Sequence, residues 1–177
     1  MLGCRPEGRC TEQHDIFFGI ATSLKELIPN MKKFWPEAKG RIHIDAWREV
    51  SSVENHLIEI VSKGNAKNSE SNLFFINLGG YKENEFEEYH YKVLGVGATL
   101  ADVSRKAKTT SFFKHCGFKG ATSHIDDKFG IDIDDAFNVK EILDSSFTDQ
   151  FELQITPVDN LVEDKLHIGY LKIDKIV

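Results

Sequence analysis

The chain is poor in the residues that usually announce a reaction. Its 177 residues include three cysteines, Cys4, Cys10 and Cys116. That odd set with no CxxC pair argues against a disulfide framework, and reduced thiols in a cytoplasm are the plain reading. Four prolines make a linker-rich chain implausible. No apolar run approaches the roughly 20 residues that cross a bilayer. Met1 to Pro6 has neither the basic start nor the apolar core of a signal peptide. Lysine and arginine number 22 against 28 acids, a net charge of −6. A broad nucleic-acid-binding face, which needs clustered bases, is therefore not expected. The one basic cluster, Arg105, Lys106 and Lys108, falls on a predicted helix and reads as a solvated face. No GxSxG, HExxH or P-loop sequence occurs, and no cofactor is assigned.

What the chain does have is internal self-similarity, which must be sought before any fold is drawn. A shift of 76 carries Leu2-Gly3 onto Leu78-Gly79, Glu12 onto Glu88, His14 onto His90, Gly19 onto Gly95 and Leu24 onto Leu100. Past the helix the shift becomes 81, and His43-Ile44-Asp45 meets His124-Ile125-Asp126. Each copy reads strand, loop, strand, helix, strand. The first strand is Leu73 to Leu78 in copy two but only Met1-Leu2 in copy one, as if the sequence began inside it. The second strand is His14 to Ala21, matched by His90 to Gly97. Ser23 to Glu26 reads as a capping box and Thr99 to Asp102 as its aspartate variant. An apolar stripe through Leu24, Leu27, Ile28, Met31, Phe34 and Trp35 predicts a helix that Pro29 should kink and Pro36 should end. Third strands are expected at Arg41 to Val50 and Thr122 to Ile133. Leu57 to Val61 and Phe151 to Ile155 should add a further strand to each copy, and Leu166 to Ile173 a closing one.

The expected architecture is α+β, a tandem duplication of a strand–strand–helix–strand unit. A strand–helix–strand link favours a right-handed parallel crossover, so a mixed sheet with one helix per copy packed on it is expected. Residues 1–64 form the first repeat, 65–72 a polar linker and 73–177 the second. The two are expected to fuse into one domain about a pseudo-twofold axis.

Several runs resemble a bacterial family, the domain of unknown function family 1543. They are Leu2 to Arg9, Thr11 to Asp15, His43 to Val50, Phe75 to Tyr81 and Lys119 to Asp127. The resemblance spans nearly the whole chain and implies a domain carried once or twice. It implies no activity and no catalytic residue.

The residues themselves offer one duplicated polar pattern: Glu12-x-His14 with His43-x-Asp45, and Glu88-x-His90 with His124-x-Asp126. Residues two apart on a strand share a face. The crossover should place both strands of a copy in one sheet, so four donors could converge to bind a divalent metal or to act as general acid and base. Plain alternation of a half-exposed strand explains the spacing by itself and is the stronger reading. Other patterns carry less. Cys4, Cys10 and His14, with or without Cys116, fit no zinc spacing, and copy two has Gly80 and Phe86 in place of the first two. Gly95-Val96-Gly97 lacks the third glycine of a dinucleotide fingerprint and suits close strand–helix packing. The acidic run Asp126, Asp127, Asp132, Asp134 and Asp135 lacks EF-hand spacing and reads as a solvated loop. Arg5 and Arg9 could hold an anion in copy one alone. Two functions follow. The first is a non-catalytic binding or assembly module whose sheet edges recruit a partner. The alternative is a metal-dependent or acid/base enzyme built on the duplicated sets. The expected partner is an unidentified small molecule or protein, not nucleic acid or a membrane. Homo-oligomer formation is left open.

Overall fold

Short strands that bury one face each must stack their apolar sides, and here they do so in three sheets. A computed structural model describes residues 1–67, 69–82, 84–107 and 131–176, without the side chains of 131–134. In the first sheet β1 (Leu2–Cys4) lies between β2 (Gln13–Asp15) and β3 (His43–Trp47), and β10 (His167–Lys172) edges β3. The second sheet comprises β4 (Ser52–Val53), β5 (His56–Ser62) and β9 (Phe151–Pro157). In the third, β6 (Asn72–Tyr81) lies between β7 (Glu88–Gly97) and β8 (Ile131–Asn138). Helices α1 (Ile28–Phe34) and α2 (Leu100–Ala107) and the short turns α3 (Val139–Ile142) and α4 (Ser145–Thr148) complete an α+β fold.

The crossover through α1 does run β2 and β3 in the same direction, but β1 is inserted between them and antiparallel to both. Every ladder among the described residues is consequently antiparallel, and no sheet is mixed. The strand expected at His14 to Ala21 is shorter, because its ladder ends where Asp15 meets Leu2. Beyond it the chain threads between two cores. Phe17 packs into one, and Ile16 and Phe18 into the other. Pro29 kinks nothing. Residues 24–27 form turns closed by Leu27 N–H to Leu24 O and Ile28 N–H to Lys25 O, so Pro29 falls in the first turn of α1, where its missing N–H has no partner to lose. The expected box at Ser23 is displaced by one residue. Thr22 donates its N–H and hydroxyl to the Glu26 carboxylate at 3.0 and 2.9 Å. In α2 the expected cap forms, with the Asp102 N–H donating to Thr99 Oγ1 at 3.3 Å.

Among the described residues the third strand of the second half runs on past the expected end at Ile133. It is β8, so Asp132, Asp134 and Asp135 belong to a strand and not to a solvated loop. Residues 108–130, with Cys116, His124, Asp126 and Asp127, lie outside the described residues.

Burial explains the strand order. Leu2, Cys4, Ile42 and Ile44 present one face of the first sheet to Met31 of α1. β6 is buried on both faces. Leu73 and Phe75 pack with Val53, Ile58 and Ile155, while Phe74, Ile76 and Leu78 pack beneath Val103 and Ala107 of α2. Each such aliphatic contributes about 1.5–3 kcal/mol by leaving water.

One exposed link ties α1 to the distant α4. Lys33 Nζ lies 2.6 Å from Asp144 Oδ2, and Asp144 also caps α4 by accepting the Ser146 N–H at 3.0 Å. The Lys33 ammonium, then the Ser146 bonds, hold this carboxyl well below the usual range. Because its folded value is depressed, its stabilisation is complete above the unfolded value of about 4 and fades as pH falls below that. Asp144→Asn should therefore unfold at a lower temperature than wild type at pH 7. The gap should narrow between about pH 4 and 2 in thermal melts followed by circular dichroism.

Candidate metal centre

On a strand, alternate residues face opposite ways, so the sequence Leu2-Gly3-Cys4 turns Gly3 away from the core that holds Leu2 and Cys4. In register, Gly3 has His14 on one side and His43 on the other. With no side chain on the central strand, the two imidazoles can lean toward each other across it. Glu12 arrives from the loop just before β2, and Asp45 stands two residues along β3 from His43.

Four donors meet over Gly3. His43 Nε2 lies 3.2 Å from Asp45 Oδ1 and 3.3 Å from Glu12 Oε1. His14 Nε2 lies 3.4 Å from Asp45 Oδ2 and 3.7 Å from Glu12 Oε2. Each nitrogen is thus flanked by two carboxylates. Glu12, His14 and His43 each offer a donor atom within 4.8 Å of the others. Tetrahedral ligation with bonds of about 2.0–2.1 Å spaces donor atoms about 3.3–3.4 Å apart, close to the 3.2–3.7 Å of these histidine–carboxylate contacts.

Distance alone would also describe a histidine–carboxylate ion pair, but orientation separates the two. His43 Nε2 and Asp45 Oδ2 are both buried, and neither has a hydrogen-bond partner. An ion pair would turn an N–H onto an oxygen; His43 Nε2 lies 3.2 Å from Asp45 Oδ1 without such a bond, as donors around a common centre do. Leaving such atoms buried and unpaired is costly. Burial is graded across the site. The His43 side chain is 8% exposed and Asp45 21%, while His14 and Glu12 are 40% and 47% exposed. One side of the group is fixed in the sheet and the other is open to solvent. His14 also lines an open cleft of about 640 Å³ with Arg9, Gln13, Trp35 and Lys39.

The sequence pattern thus names the four residues of copy one, and the structure brings all four together. Of its partner set, only Glu88 and His90 lie among the described residues. Glu88 and His90 sit on β7, with His90 opposite Gly79, and the residue across Gly79 on β8 is Asp132. His124 and Asp126 lie outside the described residues. Arg9 lines the cleft and Arg5 does not. Cys4 stays in the apolar core, where burial pushes its thiol upward, so it is no metal ligand here. Gly95 and Gly97 seat α2, since a Cβ at Gly97 would lie 2.7 Å from Val103 Cγ2 and one at Gly95 would collide with Val103 Cγ1.

Two contributors carried no signal strong enough to be found. Gly3 was visible only as half of a repeated Leu-Gly pair. Tyr170 lies with its ring centroid 4.4 Å from that of His43. The nearby Trp47 and His167 rings stack at 4.0 Å.

The model of the family Domain of Unknown Function (DUF1543) matches residues 9–60, a stretch that contains Glu12, His14, His43 and Asp45. The runs at 75–81 and 119–127 fall outside that match. The chain is also similar to the crystal structure of a protein, Il1583, from Idiomarina loihiensis. The two share 15% identity over 98% of this chain and 94% of that one, with a TM-score of 0.57, a likeness of fold alone. No curated protein matches the chain. Among the described residues no helix is long and apolar enough to cross a membrane.

Proposed function

We propose that this protein binds one divalent transition metal, zinc in the first instance, and uses it as a solvent-facing centre in a metal-dependent enzyme. The observation that carries this reading is the buried, unpartnered pair His43 Nε2 and Asp45 Oδ2 within a ring of donors at ligand spacing. Two imidazoles with carboxylate oxygens suit zinc and its first-row neighbours. His14 comes from β2, and His43 and Asp45 from β3, the strands on either side of β1, and these three are read as the fixed ligands. Glu12 comes from a loop and is the most exposed donor, so it is the one that can give way to water or a substrate. Three fixed protein ligands with an exchangeable fourth position are the pattern of catalytic rather than structural zinc.

The test is metal analysis after dialysis against zinc, then a cobalt(II) titration read in the visible. One equivalent per chain is expected, with tetrahedral cobalt bands that shift when azide is added. His43→Ala should lose the equivalent. Protein that retains no stoichiometric metal overturns the proposal.

A second reading, an assembly module, draws on β10, an edge strand with Ile168 81% and Tyr170 63% exposed. A self-associating edge would give a concentration-dependent mass by light scattering. We further read the chain as a duplicated unit. In support, Gly3 and Gly79 both lie opposite a histidine at the same place in a three-strand order centred on their own strand. The buried Cys4 and exposed Cys10 thiols are compatible with a reducing cytoplasm.

A further inference from the structure

Edge strand β10 departs from regular pairing at one point. Ile168 pairs with Ala46 and Leu171 with Ile44, so two residues, Gly169 and Tyr170, stand opposite the single residue Asp45. Gly169 adopts φ +140°, a conformation that side chains rarely tolerate. In a strand without this bulge, the positions sharing a face with His167 would be 169 and 171. The extra residue changes the phase, so Leu171 packs into the first core and Tyr170 comes onto the face of His43. Tyr170 remains 63% exposed, so its burial is not what the bulge secures. Its ring lies 4.4 Å from His43, centroid to centroid, and inclined by 36°. His43 is the most buried donor of the four.

We propose that Tyr170 is a positioning residue of the metal centre, carried on a bulge that places its ring against His43 and fixes the direction of Nε2. The inference rests on the metal reading above. An imidazole has two soft torsions, and a ligand free to swing about them must be immobilised before it can bind. A flat ring against it removes that freedom in advance, as outer-sphere partners of metal ligands do.

The experiment compares zinc affinity by competition with a chromophoric chelator in wild type, Tyr170→Ala, Tyr170→Phe and Gly169→Val. Tyr170→Ala should bind zinc about 10- to 100-fold more weakly, the range found for outer-sphere partners. Tyr170→Phe should rescue binding, since the ring and not the hydroxyl does the work. Gly169→Val disfavours the bulge, because a branched side chain does not tolerate φ +140°; in regular pairing residue 170 stands opposite Ile44, on the other face, so this variant should mimic the alanine variant. Cobalt(II) bands should broaden in both weakened variants, a change that loss of a remote contact would not produce. Wild-type affinity and bands in a folded Tyr170→Ala protein would overturn the inference while leaving the metal reading intact, as would failure of phenylalanine to rescue. A wild-type protein that binds no metal would overturn both.

Discussion

Replacing Gly3 with valine should abolish zinc binding although no donor is touched. A Cβ at this position would lie 2.5 Å from Asp45 Oδ2 and 2.8 Å from His43 Cε1, and it would collide with His43 Nε2. The oxygen and the nitrogen among them are atoms that would hold the metal. The strand cannot back away, because Gly3 is paired on both sides, with His14 and with His43. Its backbone is not in the left-handed region, so the constraint is room alone and not φ. Valine brings three carbons into a space occupied by an imidazole and a carboxylate, and both must be driven out of line. Overpacking of this kind typically costs about 1–3 kcal/mol, so the variant should melt several degrees lower yet remain foldable. Gly3→Ala should show the same effects in smaller measure. Isothermal titration with zinc, beside thermal melts in chelator, would check this. A valine variant that takes up one equivalent with native affinity would mean that the donors do not converge over Gly3.

The four donors were legible because strand periodicity is simple: Glu12-x-His14 and His43-x-Asp45 each fall on one face whatever the sheet around them. What the spacing could not supply was the geometry between the two strands. That depends on β1 lying between them and on its residue at the crossing being glycine, a long-range pairing with no local signature. The helix cap at Thr99 was legible for the opposite reason, since it involves only residues three apart. Pro29 was misread because the apolar stripe begins at Leu24, inside turns that share helical spacing, and spacing alone does not separate a turn from a helix's first residues. The run Ile131-Asp132-Ile133-Asp134 alternates as a strand should, and the expected strand reaches Ile133; past that point consecutive acids at Asp134 and Asp135 break the alternation, and only pairing with β6 carries the strand on to Asn138. Tyr170 was out of reach. A glycine inside a strand pattern hints at a bulge, but the residue that the bulge re-aims is set by register against β3.

Replacing His43 with leucine should make the metal-free protein more stable while removing its response to zinc. In the absence of metal, His43 Nε2 and Asp45 Oδ2 are buried without hydrogen-bond partners. Each unsatisfied group of this kind costs about 1–3 kcal/mol. Leucine is close to histidine in size, carries no polar atom, and would fill the space between Gly3 and Tyr170. One of the two costs therefore disappears. Zinc at about a thousand times its dissociation constant stabilises a protein that binds it by about 4.1 kcal/mol, and a variant without the imidazole forfeits that gain. The two proteins should then exchange rank. The variant should melt higher in chelator, and wild type should melt higher in zinc. Local destabilisation kept at a site that needs it is what a ligand-binding centre leaves behind when its ligand is removed. A structural hydrogen-bonded histidine behaves otherwise, since replacing it lowers the melting temperature in every buffer. If His43→Leu melts lower than wild type in chelator as well as in zinc, His43 is held by partners of its own and the four donors are not a metal shell.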